Sequence, residues 1–238
     1  MTEPDQPQKA VLLASGGLDS TVASFMAAEQ YEILLALTFD YGQRARRREL
    51  AAGYGLANWL GIRHRTIFLP FYRELEGGAL LSSTATLPQP EEEALDDPSK
   101  SADTAAAVWV PNRNGVLIAI ASAWAESLGA SRVIVGFNAE EARTFADNTT
   151  RFVEASNRAL SDSTLNGVQV TAPTAEWTKA QIVRHAHERD WPLELVWSCY
   201  EDEDTPCDKC ESCKRFDRAL NDAEARDWLM ERREKWRS

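Results

Sequence analysis

A glycine-rich string directly follows a short apolar run near the start of the chain. The run is residues 10–14, and the string is Ser15-Gly16-Gly17-Leu18-Asp19-Ser20. Adjacent glycines let the backbone approach a ligand closely. The start of the helix that follows offers free N–H groups and a dipole that favours an anion. Serine hydroxyls add donors, and Asp19 can hold a metal ion that accompanies phosphates. The string therefore predicts a phosphate-binding loop rather than a capped turn alone.

Two more polar strings follow apolar runs. In the string Phe39-Asp40-Tyr41-Gly42-Gln43-Arg44, Asp40 can accept a hydrogen bond from a ribose hydroxyl or an adenine amine, or help to bind a metal, and Arg44 can contact a phosphate. In the string Val110-Pro111-Asn112-Arg113-Asn114-Gly115, either asparagine can cap the next helix. Arg113 is then left to point into a cleft, where its guanidinium can bind a carboxylate or a phosphate through two hydrogen bonds.

All four cysteines of the chain fall within one short window, at Cys199, Cys207, Cys210 and Cys213. Clustered cysteines in a chain without export signals favour metal binding over a disulfide framework. Four thiolates at this spacing suit a tetrahedral Zn²⁺ and leave no open coordination position. We therefore expect a structural metal that ties a small C-terminal module to the rest of the chain. An iron–sulfur cluster is the rival, because four cysteines also bind iron.

The elements that must position these residues alternate along the chain. Apolar runs predict strands at residues 10–14, 31–39, 63–69, 133–136 and 168–172, and helical patterns occur at residues 20–29, 43–60, 112–128, 151–160, 178–188 and 222–236. Such alternation predicts an α/β fold with a mostly parallel sheet flanked by helices. Ligands of such sheets bind beyond the carboxyl ends of the strands, which is where the polar strings lie.

Two segments stand apart from this alternation. Residues 70–107 contain a glycine pair, prolines and an acidic run, and we expect a long, partly mobile insertion loop there. Residues 222–236 carry mixed charges, which suggests a C-terminal helix with an exposed face. We accordingly divide the chain into an α/β domain at residues 1–190 and a metal-binding helical module at residues 191–238.

Composition and charge exclude several classes of protein. The chain has 238 residues, 44% hydrophobic and 26% charged, which is ordinary for a globular enzyme. The net charge is −11, so a nucleic-acid partner is not expected. No apolar stretch approaches the ~20 residues that span a membrane, and residues 1–9 do not read as a signal peptide. We expect a cytoplasmic protein without membrane contact.

The glycine string resembles the SGGxDS signature of the PP-loop ATP pyrophosphatases, whose fold is adenine nucleotide alpha-hydrolase-like. The ordered set SGGLDS, FDYGQR, VPNRNG and SCY…CxxCxSC resembles the 7-cyano-7-deazaguanine synthases of queuosine biosynthesis over nearly the whole chain. This resemblance implies a ligase that uses ATP and Mg²⁺. It would convert 7-carboxy-7-deazaguanine and ammonia into the nitrile through an adenylated acid and an adenylated amide, releasing AMP and pyrophosphate. The family also implies a homodimer.

The same resemblance implies roles for individual residues. Asp19, Ser20 and Arg113 would act in catalysis. The deazapurine would contact Asn112, Arg113, Asn114 and Asp147, and the four cysteines would bind Zn²⁺. The residues expected to bind ATP are Ala14, Ser15, Gly16, Gly17, Leu18, Asp19, Ser20, Thr21, Asp40 and Arg44.

Three positions depart from the family pattern. Ala45 replaces a common histidine, Asp208 replaces a common glycine, and residues 144–148 read TFADN where GYPDC commonly lines the deazapurine site, so that only the carboxylate of Asp147 is kept. One alternative is therefore a PP-loop paralogue that adenylates a different carboxylate or amide. Two others are a tRNA-thiolating or lysidine-type enzyme, which the negative charge and the committed cysteines oppose, and a noncatalytic zinc-module binding protein.

Overall fold

A single parallel sheet of five strands forms the centre of the structure, a computed structural model that describes residues 7–75, 78–81, 85–92, 95 and 97–237. The strands are β1 (Lys9–Leu13), β2 (Glu32–Asp40), β3 (His64–Phe68), β4 (Arg132–Ile134) and β5 (Gln169–Thr171). Their order in the sheet is β3-β2-β1-β4-β5, and every neighbouring pair is parallel. The five strands expected from the apolar runs are all present, and the expected parallel α/β sheet is confirmed.

Eight α-helices are seen in the described part of the chain. They are α1 (Leu18–Ala28), α2 (Arg46–Trp59), α3 (Pro98–Val108), α4 (Arg113–Ser127), α5 (Thr150–Ser163), α6 (Lys179–Glu188), α7 (Glu211–Asp222) and α8 (Arg226–Arg237). Helix α6 begins with a capping box, in which Thr178 N–H donates to the Gln181 side chain and Gln181 N–H donates to the Thr178 hydroxyl. The TKAQ sequence at that point predicts this arrangement.

Helices cover both faces of the sheet. Ala10 and Leu12 of β1 pack in one apolar cluster with α1, α6, α7 and α8, whereas Val11 packs in a second cluster with α4 and α5. Successive side chains of a strand point to opposite faces. A strand that is apolar at every position must therefore be covered on both sides, which explains why β1 reads as a continuous apolar run.

The expectation of a single irregular loop over residues 70–107 is wrong at both ends of that segment. Pro70–Glu74 forms a 3-10 turn, and Pro98–Val108 forms α3. A proline at the first helical position and an alanine run at residues 105–107 favour a helix, and they outweigh the polar composition. Residues 76–77, 82–84, 93–94 and 96 lie outside the described residues. The mobility of the insertion stays a prediction.

The expected C-terminal helix over residues 222–236 is confirmed as α8, but its expected start is wrong. Asp222 ends α7 and α8 begins at Arg226, because Glu224 adopts a left-handed conformation with φ of 55° that interrupts the helix. One face of α8 packs on the core, since Leu229 is fully buried in the cluster that α1 and α6 share. The division at residue 190 stays a prediction. None of the helices in the described residues has the length and apolar character needed to cross a membrane.

Candidate active site

A cavity of about 260 Å³ lies at the carboxyl ends of the central strands β1 and β4. From β1 the strand order runs outward to β2 and β3, and on the other side it runs through β4 to β5. Connections that leave adjacent strands in opposite directions open a crevice at this switch point. The loop after β1, Gly136 after β4, and the start of α4 all line the cavity. The cavity therefore lies at the sheet edge where the sequence predicts that ligands bind.

The loop that follows β1 turns sharply into α1. Gly16 has φ of +80°, and a Cβ atom there would lie 2.6 Å from the Cβ of Ala52, so α2 packs directly against the glycine. The hydroxyls of Ser15 and Ser20 hydrogen-bond to each other at 2.8 Å. Gly17 is the N-cap of α1, and no side chain caps that end. The first N–H groups of α1 are therefore free of a side-chain cap at the cavity wall, where an anion can bind them.

Gly136 fixes this loop from the other side. A Cβ atom on Gly136 would lie 2.2 Å from the backbone nitrogen of Ser20 and 2.3 Å from its Cα. Because these are backbone atoms, no side-chain rotation can relieve the contact. The sequence places Gly136 at the end of a strand but does not indicate that the loop touches it.

We expect Gly136→Ala to displace the loop and to lower ATP-dependent AMP release at least about 100-fold, because the loop would be mispositioned. The overpacking should also cost roughly 1 to 3 kcal/mol of folding free energy. Gly55→Ala in α2 is the matched control, since its nearest atom is a leucine side chain at 3.3 Å. AMP release and thermal unfolding of both variants test this. A Gly136→Ala enzyme with control-level activity would contradict it.

A buried ion cluster lies beside the loop. The Nζ of Lys179 donates to Asp19 Oδ2 and to Glu141 Oε1, each at 2.8 Å. The side chains of Lys179 and Asp19 are only 9% and 13% exposed. Burial lowers the pKa of Lys179, but the two carboxylates outweigh burial and raise it, so the ammonium stays charged. Burial raises the pKa of Asp19, whereas at Glu141 the lysine outweighs burial and lowers the pKa.

One carboxylate oxygen of Asp19 has no hydrogen-bond partner in the described residues. Its Oδ1 is buried and accepts no hydrogen bond within the described residues. An unpaired carboxylate oxygen beside a phosphate-binding loop fits a hard cation such as Mg²⁺, which prefers carboxylate and phosphate oxygens. Sequence reasoning selected Asp19 but missed Lys179 and Glu141. The Thr178 cap that places Lys179 at the first position of α6 was visible in the sequence, but the partner of this lysine was not.

Arg113 enters the cavity from the first turn of α4. Its Nη1 donates to the Tyr41 hydroxyl at 3.3 Å, and its guanidinium lies over the Tyr41 ring. Burial raises the pKa of Tyr41 to about 12, so the phenol is neutral. Burial lowers the pKa of Arg113, but Tyr41 and nearby carboxylates outweigh burial and raise it. No carboxylate lies within ion-pair distance of Arg113 in the described residues, so its guanidinium faces the cavity with carboxylates only at longer range.

The structure brings together most, but not all, of the residues expected from the motifs. Lining the cavity are Ala14, Ser15, Gly17, Leu18, Asp19, Ser20, Arg113 and Asn114. The other expected residues, which do not line it, are Gly16, Thr21, Asp40, Arg44, Asn112 and Asp147. Asn112 is exposed in a left-handed conformation at the N-cap of α4, without a side-chain cap. The expectation that an asparagine side chain caps α4 is therefore wrong.

Asp40 and Arg44 have partners elsewhere in the protein. Asp40 Oδ1 accepts a hydrogen bond from Gly42 N–H at 3.0 Å, which stabilises the turn after β2. Arg44 forms a two-pronged ion pair with Glu201, with its Nη2 2.6 Å from Glu201 Oε1. Glu201 belongs to the cysteine-containing segment. Arg44 therefore ties that segment to the start of α2.

The segment at residues 144–148 contributes differently from expectation. Asp147 does not line the cavity, but its carbonyl accepts a hydrogen bond from the Asn114 amide at 3.3 Å. Its neighbours Phe145 and Asn148 do line the cavity, and Phe145 is nearly parallel to the ring of Trp109. The positions at which this chain departs from the GYPDC pattern therefore include two that face the cavity.

The four cysteines come together in the C-terminal region. Their Sγ atoms lie within 4.8 Å of one another, and no disulfide joins them. Four thiolates around one tetrahedral ion at Zn–S distances of about 2.3 Å lie this close together. Backbone N–H groups of Glu201 and Cys207 donate to Cys199 Sγ, each at 3.3 Å, as they would to a metal-bound thiolate. The cluster fits the expected metal site.

Comparison with known proteins agrees with this geometry. A family model described as "Queuosine biosynthesis protein QueC" matches residues 9–224. A 7-cyano-7-deazaguanine synthase from Desulforudis audaxviator is 48% identical over 215 residues, covering 90% of this chain and 97% of that protein. The chain belongs to this family. The family's synthase from Methanosarcina barkeri is 46% identical over 227 residues, covering 94% of this chain and 98% of that protein.

A solved structure of another protein shares the fold of this QueC family member. The U34-tRNA thiolase NcsA from Methanococcus maripaludis, solved with its [4Fe-4S] cluster, superposes with a TM-score of 0.50. The alignment covers 95% of this chain and 67% of that one, at 15% identity. At this identity the likeness concerns the fold alone. It confirms the PP-loop type of α/β fold expected from the glycine string.

We expect Cys210→Ser to lose the bound metal. A missing ligand should weaken metal binding beyond the 10- to 100-fold that loss of an outer-shell partner costs, and the melting temperature should fall with it. Elemental analysis of purified protein measures the metal and also distinguishes zinc from iron. Lys209→Ser, at an exposed position of the same loop, is the control. A Cys210→Ser protein with full metal content would show that the ligand set is wrong.

Proposed function

We propose that this protein converts 7-carboxy-7-deazaguanine, ammonia and ATP into 7-cyano-7-deazaguanine, AMP and pyrophosphate. One observation carries the proposal: a single cavity brings the SGGLDS loop together with Arg113 and Asn114. The loop can bind phosphates, and a guanidinium without a direct ion pair in the described residues can bind a carboxylate. An adenylating enzyme needs both beside each other, because the carboxylate attacks the α-phosphate. Identity to named synthases over nine-tenths of the chain supports the substrate.

The residues of the cavity suit the two activation steps. In each step the N–H groups at the start of α1, with Ser15 and Ser20, hold the phosphates, and Arg113 orients the group that attacks. Adenylation turns a carboxylate oxygen into a leaving group, and ammonia displaces AMP to give the amide. Adenylation of the amide oxygen then permits loss of AMP to the nitrile. The protein contributes positioning and charge stabilisation, and Lys179 opposes the rise in the pKa of Asp19 that burial causes.

Metal ions complete this proposal. Asp19 would hold Mg²⁺ through its unpaired oxygen, and the ion would neutralise charge on the pyrophosphate. The four cysteines would hold a structural Zn²⁺. Trp197, Tyr200 and Glu211 from the segment around these cysteines line the cavity, which supports a role for this module in shaping the site. The homodimer, the cytoplasmic location and the two-unit division of the chain stay expectations from the family and the sequence.

One incubation tests the function. Purified protein is mixed with ATP, Mg²⁺, ammonium and 7-carboxy-7-deazaguanine, and mass spectrometry follows the deazapurine while AMP is counted. We expect the nitrile with two AMP per product, as two activation steps require. Asp19→Asn is the control for background hydrolysis of ATP. No AMP under any condition would contradict the proposal and revive a noncatalytic binding protein.

A paralogue acting on a different acceptor is the second candidate. Phe145 and Asn148 face the cavity at positions where the family pattern has other residues, and this observation favours an altered acceptor. AMP release that stops at the amide, or that needs another carboxylate, would support the paralogue. It would leave the adenylating chemistry of the loop intact.

A further inference from the structure

One charged side chain of the cavity, that of Glu49, has no role in the proposed function. Glu49, in the first turn of α2, lines the cavity together with Tyr41 and Arg113. It makes no ion pair within the described residues. Burial raises the pKa of Glu49, and the Gln43 amide and Arg113 oppose that shift. A buried carboxylate is costly to keep ionised unless a hydrogen bond or a cation compensates for its charge.

The carboxylate of Glu49 is held in a defined orientation by Gln43. The Gln43 amide nitrogen donates to Glu49 Oε2 at 2.8 Å and to the carbonyl of Phe39 at 2.9 Å. The Gln43 oxygen accepts from the backbone N–H of Tyr41 at 3.0 Å. Gln43 is itself buried, so its position is set by the end of β2. One oxygen of Glu49 is thereby fixed, and the other, Oε1, makes no hydrogen bond within the described residues.

Glu49 and Arg113 place a negative and a positive charge in the same cavity. They carry opposite charges and both line the cavity, yet no ion pair within 4.0 Å joins them in the described structure. Each is held by a neutral partner instead, Glu49 by Gln43 and Arg113 by Tyr41. Two opposite charges that are kept apart in one cavity suit a ligand with a negative group at one end and hydrogen-bond donors at the other.

The substrate of the proposed function has this polarity. It carries a carboxylate on its five-membered ring, while a ring N–H and an exocyclic amino group lie on the pyrimidine edge. Carboxylates accept hydrogen bonds from such donor pairs. We propose that Glu49 is a specificity-determining residue that accepts hydrogen bonds from the N–H donors of the deazapurine, with Gln43 as its positioning residue. This inference rests on the proposed function.

The adenine amino group of ATP offers the same donor chemistry, but the position of Glu49 favours the deazapurine. Arg113 and Glu49 line the same cavity, so one ligand can bring a carboxylate to Arg113 and N–H donors to Glu49. Adenine carries no carboxylate, and the phosphates of ATP have the loop after β1 as their site. Only the deazapurine brings both a carboxylate and N–H donors in one rigid ring system.

The test uses the full-length, metal-containing enzyme and two deazapurines. One is 7-carboxy-7-deazaguanine, and the other is the analogue that lacks the exocyclic amino group. We expect the wild-type enzyme to disfavour the analogue in kcat/KM by roughly 10- to 100-fold, the value of a hydrogen bond to a charged group. Glu49→Gln should raise the KM for the deazapurine over a similar range, leave the KM for ATP unchanged and reduce the discrimination. Glu176→Gln, at an exposed position, is the control.

Each other result overturns the inference. A rise in the KM for ATP alone would assign Glu49 to the adenine amino group. Unchanged KM values with a lower melting temperature would make Glu49 a structural residue. If Glu49→Gln fails to fold, the wild-type enzyme still decides, since equal kcat/KM for the two deazapurines excludes recognition of the amino group. If the wild-type enzyme makes no nitrile, the proposed function fails separately, and calorimetric binding of the two deazapurines still tests Glu49.

Discussion

Replacing Lys179 with methionine is expected to destabilise the protein by roughly 3 to 5 kcal/mol at pH 7, the usual cost of removing one partner of a buried ion pair. Methionine keeps most of the length and the packing of lysine but removes the ammonium that bonds to Asp19 and Glu141 at 2.8 Å. Two carboxylates would then share a buried site without a counterion. Denaturant unfolding measures the loss, and AMP release should fall as well because the pKa of Asp19, without the opposing effect of Lys179, would rise further.

The stability loss of Lys179→Met should depend on pH. In the Lys179→Met variant, the pKa of Asp19, which burial already raises, should rise further, and burial and mutual repulsion should raise the pKa of Glu141 above its unfolded value. An acid with a raised folded pKa binds more protons when folded, so its penalty is complete above that pKa and disappears as the pH falls through it. The deficit relative to the wild type should therefore shrink as the solution is acidified from neutral pH.

A second substitution provides the control. In the Lys179→Met background, Asp19→Asn removes one of the two uncompensated charges and should recover part of the lost stability. A Lys179→Met protein that loses less than about 1 kcal/mol, with no dependence on pH, would show that the ion cluster contributes little. Catalytic activity should not return in the double variant, because Asp19 itself is missing.

The parallel sheet was predictable because each of its signals is local. A strand covered on both faces must be apolar at every position, and the runs around Val11 and Leu35 announce this directly. The capping box of α6 is equally local, since it involves only Thr178 and Gln181. The break between α7 and α8 was missed because a left-handed Glu224 leaves no clear mark in a helix-favouring sequence.

The loop of the candidate site was predictable from the sequence, whereas the side chains that pair with its charged residues were not. The glycines and serines after β1 act through their own backbone and hydroxyl groups, so their order in the sequence indicates their chemistry. Lys179 and Asp19 are 160 residues apart, and Arg44 and Glu201 are 157 residues apart. A single sequence carries no record of which distant charges meet. Arg44 was therefore expected at a phosphate, whereas the structure pairs it with Glu201.

Arg113→Met is expected to lower kcat/KM by about 100- to 1,000-fold, the range seen when a single group that stabilises charge is removed from an active site. The guanidinium faces the cavity, and its one hydrogen bond within the described residues is to the neutral Tyr41 hydroxyl. Arg113→Lys should recover little of this activity, because an ammonium cannot make the two parallel hydrogen bonds of a guanidinium. Steady-state kinetics with the deazapurine and with ATP as the varied substrate measure both variants.

The stability of Arg113→Met should contrast with that of Lys179→Met. Lys179 compensates two buried carboxylates, so its removal leaves charges without partners. Arg113 makes no ion pair in the described residues, so its removal takes away a desolvated charge and withdraws only longer-range attraction from carboxylates such as Glu49. Unfolding of Arg113→Met should thus occur close to the wild-type denaturant concentration, while activity is lost. A variant destabilised by more than about 2 kcal/mol would mean that Arg113 supports the fold, and the assignment of its charge to the substrate would fail.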